Sequence, residues 1–377
     1  MRLVCVCRGM PGLGRVAPTV GLLMTLARRG QMEVVFAAYA AGVGYLRRLG
    51  MTVEDLGMPA GLFIDSVAPQ ALRALALAER YGPDAVLVDG EPFLPVTLAD
   101  AGVPVIYLAN PHDLLPDVTT FQRVNRRLLT HADAVIVSSV GCLRPRLHQQ
   151  VVTGTPCLEV PAIVKEFAVH HQPSSPPRVL VTSGGGSVGA DPAFRAATDD
   201  AIDRTIQALR ALVDAGDVEA VTLVLGVDAT PPPQSGERWL RVIAEPVELT
   251  NLYAQHEVLV ARAGRNVAAE ALYCGIPTVL LPIETDRHRA AEQLANAAIA
   301  AKTGQVQSVP DWRRPGSLRG AISRALGSAA RRERRLGQCG NQAAVGFLDQ
   351  IIAAAHQRDT PPLLRAAPIP KRATGHG

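Results

Sequence analysis

Short apolar runs alternate with helical patterns along this chain, and the alternation starts over after a proline-rich break. The first set is LVCVC at 3–7, EVVFAA at 33–38, AVLVD at 85–89, VPVIYLA at 103–109 and AVIVSS at 134–139, with helices expected from about Pro18 to Arg29 and from Val43 to Leu49. Such alternation implies parallel strands joined by right-handed crossover helices. The segment 165–178, KEFAVHHQPSSPPR, ends in prolines and serines and reads as a linker between domains. The pattern then resumes with RVLVTSGGGSVG at 178–189, a helix near Ala201 to Val213, AVTLVLG at 220–226, LRVIAEP at 240–246 and EVLVAR at 257–262. An α/β chain is therefore expected, with two Rossmann-like domains at 1–168 and 176–350 facing across a cleft. A last helix near Asn341 to His356 runs into a proline-rich, basic tail, so 351–377 is set apart as helix end and tail.

A chain of 377 residues can supply two such cores, and 48% hydrophobic against 19% charged residues excludes a disordered class. The longest apolar stretches are strand-length or interrupted by arginine, and the chain opens on a strand pattern, so neither a transmembrane helix nor a signal peptide is expected. The expectation is a cytoplasmic protein. Arg123, Arg126 and Arg127 share one helix and leave peripheral contact with anionic lipid open, against the simpler reading of a solvated face. Six cysteines lack the paired spacing of a zinc site and the density of a disulfide scaffold, and no histidine spacing suits a metal. The formal charge of +4 comes without a basic stripe interleaved with aromatics, so nucleic acid is not an expected partner.

The densest chemistry lies at 261–297, ARAGRNVAAEALYCGIPTVLLPIETDRHRAAEQLANA. It reads as a strand, a helix opening on Gly264, a strand from Thr278 to Leu281 and a second helix beginning near Glu292. A strand-to-helix junction offers unpaired N–H groups and the positive end of a helix dipole, a natural seat for a diphosphate. Glu270, about one and a half turns in, can accept hydrogen bonds from two vicinal hydroxyls. An alanine-rich helix with one glutamate is ordinarily just a solvated face; the ordered set Arg262, Gly264, Glu270, Gly275, Pro277, Asp286, Glu292, Gln293 and Asn296 carries the nucleotide-sugar reading.

Glycine-rich turns follow the first strand of each half, where a Rossmann-like sheet gathers ligands. RGMPGLGRVAP at 8–18 holds Gly14 and Arg15; TSGGGSVGA at 182–190 holds Ser183, Gly184, Gly185, Gly186 and Ser187, whose backbone N–H groups can approach phosphate oxygens. VDGEPF at 88–93 places Asp89 and Glu91 at a strand end, and NPHD at 110–113 places His112 at the next. The plain alternatives are a tight turn at 8–18, a helix cap at Asp89 and a solvated His112.

These blocks resemble the donor half of inverting glycosyltransferases with the GT-B fold, particularly family 28, which includes the peptidoglycan N-acetylglucosaminyltransferase, and related macrolide and lipid glycosyltransferases. The resemblance implies that Glu270 holds the nucleoside ribose, that Glu292 and Gln293 reach the sugar, and that the 182–190 loop passes over the diphosphate. Val247, Arg262, Arg265, Asn266 and Asp286 complete the implied donor set. Many relatives carry a histidine, often the catalytic base, where this chain has Arg15. A guanidinium stays protonated, so Arg15 is expected to bind a phosphate or an acceptor carboxylate. The base is then sought in the VDGEPF turn, Asp89 ahead of Glu91, with His112 as the alternative.

The implied reaction moves a hexose or N-acetylhexosamine from a nucleotide diphosphate, UDP first, to a hydroxyl or amine of a small or lipid-linked acceptor. The nucleotide sugar is a co-substrate, and no metal or further cofactor is expected. A nucleotide-sugar hydrolase and a non-catalytic nucleotide-sugar-binding protein remain as alternatives.

Overall fold

The computed structural model describes residues 1–9, 13–57, 67–99, 102–114, 120–140, 154–165, 173–184, 192–226, 229–244, 247–283, 287–328 and 339–357. Two parallel sheets carry the chain. The first contains β1 (Arg2–Cys7), β2 (Glu33–Ala38), β3 (Val53–Asp55), β4 (Ala85–Asp89), β5 (Val105–Ala109), β6 (Ala134–Ser138) and β7 (Cys157–Val160), in the order β3-β2-β1-β4-β5-β6-β7. The second contains β8 (Arg178–Thr182), β9 (Ala220–Val224), β10 (Leu240–Ile243), β11 (Val258–Arg262), β12 (Thr278–Leu281) and β13 (Val306–Ser308), in the order β10-β9-β8-β11-β12-β13. Every position of β4, β5 and β6 is buried, as a parallel sheet covered by helices on both faces requires.

Both sheets reverse their strand order beside their first strand. β1 lies between β2 and β4, and β8 between β9 and β11. Crossovers leave such a switch point toward opposite faces and open a crevice at the carboxyl ends of the strands. The quoted motifs sit there: 8–9 and 13–15 after β1, 89–91 after β4, 183–184 after β8 and 262–265 after β11.

The helix Asn341–Gln357 packs on the first sheet's helix Val16–Ala27 and on β7, so the sequence boundary at 350 falls inside one helix that covers the first sheet. Ala344, Val345, Leu348 and Ile352 enter the same core as Leu22, Leu23 and Leu26. Its first residue fastens the return. The fully buried Asn341 donates from Nδ2 to Gly21 O, Thr25 Oγ1 and Val164 O, and accepts Val164 N–H at Oδ1, over 2.8–3.1 Å. Buried polar groups of the helix Val16–Ala27 and of the chain after β7 are thereby joined through one side chain.

Several elements differ from expectation. The helix expected at 201–213 runs from Pro192 to Asp214, and the second helix of the 261–297 block begins at Arg287, more than a turn before Glu292. The short strands β3, β7 and β13 lie at or near sheet edges and are partly exposed, so they leave no continuous apolar run to read. Among the described residues no helix is long and apolar enough to cross a membrane.

Candidate active site

On the first domain the cleft is built from two carboxylate–arginine pairs. Asp89, ending β4, has no exposed surface and accepts hydrogen bonds from Arg15 Nη1 at 3.4 Å and Thr19 Oγ1 at 3.3 Å. Glu91 is 4% exposed and takes the Tyr39 hydroxyl and Arg8 Nε, the latter at 3.5 Å, on the same oxygen, Oε1. Burial raises the Glu91 carboxyl above the ordinary glutamate range, while Arg8 and the Tyr39 hydrogen bond draw it partly back. Gly90 turns the chain between them at φ 89°, where a Cβ would sit 2.9 Å from Cβ of Arg8 and 3.1 Å from Cγ of Arg15.

In this arrangement both Asp89 oxygens are engaged and the residue has no exposed surface, and the Arg15 guanidinium lies against that carboxylate. On the next strand end, Asn110 and His112 are both buried, with the 3₁₀ turn Pro111–Leu114 beginning between them.

On the second domain the helix Arg265–Cys274 opens on Gly264 at φ −72°, ψ 144°, a conformation open to any residue, and among the described residues a Cβ there would meet nothing within 4 Å. Neither backbone nor packing among those residues demands glycine, and a helix N-terminus with its first-turn N–H groups suits an anion. Beside it, the Arg262 guanidinium stacks 4.9 Å from the Phe194 ring centroid and passes under Gly184, whose φ is 86° and whose Cβ would lie 2.9 Å from Nη2. Ser183 Oγ accepts the Gly226 N–H at 2.9 Å and fixes the loop's root. Gly185, Gly186, Ser187 and Asp286 lie outside the described residues.

Glu270 is half-buried one helix turn deeper, accepting the Tyr253 hydroxyl at 2.7 Å. Burial lifts its carboxyl to about 7, the Tyr253 hydrogen bond opposing and the nearby Glu248 charge adding to the shift. Glu248 is itself paired across the domains with Lys165 Nζ at 2.5 Å. Val247, next to it, is half-buried against the second domain's core.

The domains are tied together at this cleft. The Arg265 guanidinium, 7% exposed, donates to Ala109 O at 3.5 Å, Ser138 O at 3.2 Å and Gly14 O at 3.2 Å; Asn266 Nδ2 donates to Gly14 O at 3.1 Å. Arg265 thus clasps the first domain. Asn110 Nδ2 donates to Glu292 Oε1 at 2.8 Å. The Gln293 amide both accepts from Ile283 N at 3.0 Å and donates to Ile283 O at 3.2 Å, which pins the loop before its helix. Asn296 likewise donates to Ala263 O at 3.2 Å.

Sequence reasoning missed Thr19, Tyr39, Tyr253 and Glu248, and it took Asn110 only as part of the NPHD group. Tyr39 immediately follows β2, so its place at a strand carboxyl end was the available signal. Among the described residues no group of three or more His, Cys, Asp or Glu is placed to hold a metal ion.

No family model matches the chain. Over 116 residues it is 34% identical to the UDP-N-acetylglucosamine–N-acetylmuramyl-(pentapeptide) pyrophosphoryl-undecaprenol N-acetylglucosamine transferase of Solidesulfovibrio magneticus, a stretch that spans 29% of this chain and 31% of that relative. Solved structures align over nearly the full length. Acinetobacter baumannii MurG superposes with a TM-score of 0.56 at 16% identity, covering 93% of this chain and all of that one. A Streptomyces sp. SF2575 glycosyltransferase complexed with thymidine diphosphate gives 0.59 at 19%, covering 93% and 99%. The spinosyn forosaminyltransferase SpnP gives 0.63 at 17%, covering 94% and 99%. The fold is that of these GT-B glycosyltransferases.

Proposed function

We propose that the protein is an inverting glycosyltransferase that moves a sugar from a nucleoside diphosphate to an acceptor hydroxyl or amine. The observation that carries this reading is the meeting of two switch-point crevices, with a helix N-terminus at Gly264 where a Cβ would meet no described residue within 4 Å, and a carboxylate, Glu270, on the same helix. The first-turn N–H groups and helix dipole receive the diphosphate and stabilise it as it leaves. Glu270 accepts the ribose hydroxyls, and Glu292 faces the sugar. UDP and TDP are the nucleotides to test first, from the transferase relative and the thymidine diphosphate complex.

In the transfer, the acceptor oxygen or nitrogen forms a bond to the anomeric carbon. The bond from that carbon to the β-phosphate oxygen breaks, the nucleoside diphosphate keeps the electron pair, and the acceptor's proton passes to a base. Glu91 suits this role better than Asp89. Its two hydrogen bonds fall on Oε1 and leave Oε2 for the proton, and its raised pKa makes it a stronger acceptor near neutrality. Asp89 is the positioning partner that fixes Arg15 and Thr19 beside it. His112 is the alternative base.

Incubation with UDP-N-acetylglucosamine and TDP-glucose against an acceptor panel, read by nucleoside diphosphate release, tests the reading. Glu91→Gln should lower turnover by about a hundred- to ten-thousand-fold without loss of donor affinity. The Arg15–Asp89 pair in the place of a histidine base also suits a non-catalytic nucleotide-sugar-binding protein, and tight donor binding without release of nucleotide under any acceptor would decide for it.

A further inference from the structure

Asn110 stands one residue beyond β5, on the acceptor-side domain, and is 7% exposed. Its Oδ1 accepts the backbone N–H of His112 at 3.1 Å. A backbone N–H is only a donor, so the amide orientation is fixed and its NH₂ must face the other way. It faces the second domain, where it donates to Glu292 Oε1 at 2.8 Å. The contact is held from both sides. Arg265 grips the carbonyl of the preceding residue, Ala109, at 3.5 Å, and Gln293, the residue after Glu292, is locked to Ile283.

A hydrogen bond from across the cleft to one oxygen holds the Glu292 carboxylate in place, and a carboxylate has further lone pairs with which to accept sugar hydroxyls. We propose that Asn110 is a positioning residue for the donor sugar, so that part of the sugar's selection is written on the acceptor-side domain. The proposal rests on the nucleotide-sugar reading above. It follows that free nucleotide, which ends at the diphosphate, should not sense Asn110, whereas a nucleotide sugar should.

The test is calorimetry of UDP and UDP-N-acetylglucosamine, repeated with TDP and TDP-glucose, on the wild type, Asn110→Ala, Asn110→Asp and the double variant Asn110→Asp/Glu292→Gln, each first shown to be folded by its melting curve. Asn110→Ala should weaken the nucleotide sugar by about five- to tenfold and leave the free nucleotide within about twofold. Asn110→Asp, which sets a second carboxylate against Glu292, should weaken it further, with the loss shrinking as pH falls. The double variant restores a donor–acceptor pair of reversed polarity and should recover most of that loss.

Equal losses for nucleotide and nucleotide sugar, unchanged affinity for both, or a double variant no better than Asn110→Asp would each overturn the proposal. A wild type that binds none of the four compounds would instead overturn the nucleotide-sugar reading itself.

Discussion

Glu270 offers the most quantitative test, because its geometry and its titration make one linked demand. With its carboxyl lifted to about 7 by burial, roughly one in ten molecules is ionised at pH 6 and nine in ten at pH 8. Ribose hydroxyls donate to a carboxylate and not to a protonated acid in the same way, so binding lowers this pKa and releases a proton. Affinity for a nucleotide sugar should therefore fall about tenfold from pH 8 to pH 6, about 1.4 kcal/mol. Calorimetry in two buffers of different ionisation heat measures both the affinity and the released proton. The probe should be a nucleotide sugar, whose diphosphate is a diester; the terminal phosphate of free UDP titrates near pH 6 itself, about where a phosphate monoester does. Glu270→Gln should flatten the profile.

The sign for folding is opposite. A glutamate whose folded pKa lies above its ordinary value of 4.5 binds its proton more tightly when folded, so the ligand-free protein loses stability as pH rises from 4.5 to 7 and holds level above. Glu270→Gln should accordingly stabilise the ligand-free protein at pH 8, by at most roughly 3 kcal/mol, and do little at pH 4.5. A wild-type affinity that is flat between pH 6 and 8, or an equal slope in Glu270→Gln, refutes the reasoning.

Three further substitutions separate ligand roles from structural ones. Gly264→Ala should leave stability within about 0.5 kcal/mol, since its Cβ meets nothing, yet cost at least about tenfold in nucleoside diphosphate affinity; unchanged affinity in a folded variant would move the diphosphate elsewhere. Arg15→Ala removes an ion pair from the fully buried Asp89 carboxylate and should destabilise by about 3 kcal/mol, most of it recovered in Arg15→Ala/Asp89→Asn by urea unfolding. Should Arg15→Ala cost under about 1 kcal/mol, the pair is not what holds that turn. Asn341→Leu, which removes four hydrogen bonds at the root of the returning helix, should cost about 2–4 kcal/mol, and a melting curve within about 1 °C of the wild type would show that apolar packing alone holds it.

What was legible in the sequence was whatever hydrophobic period and glycine placement encode. EVVFAA, AVLVD and TVLL form strands over the residues expected, because strands buried on both faces leave unbroken apolar runs. The crevices followed from topology, since each glycine turn comes directly after the first strand of its sheet. What stayed hidden was partnership. Asp89 and Glu91 are two residues apart and alike in charge, yet one pairs with Arg15 and Thr19 from the first helix and the other with Arg8 and Tyr39 from two other strand ends. No local spacing distinguishes them. The same holds for Arg265, at a helix start, and Gln293, both of which donate to backbone carbonyls, groups that every residue carries and no sequence pattern marks.

Arginine at position 15 therefore has two readings that only the partner can separate. As an unpaired cation it would attract an acceptor anion; as the neutralised half of a pair with Asp89 it holds the turn that presents Glu91. Because Glu91 is likewise matched by Arg8, the two ion pairs among the described residues at this end of the cleft carry two cations against two carboxylates. That balance favours an uncharged acceptor group. An acceptor series differing only in charge at the group beside the reacting hydroxyl should rank the neutral member first, and a preference for the anionic member of tenfold or more would show that Arg15 or Arg8 leaves its carboxylate to meet substrate.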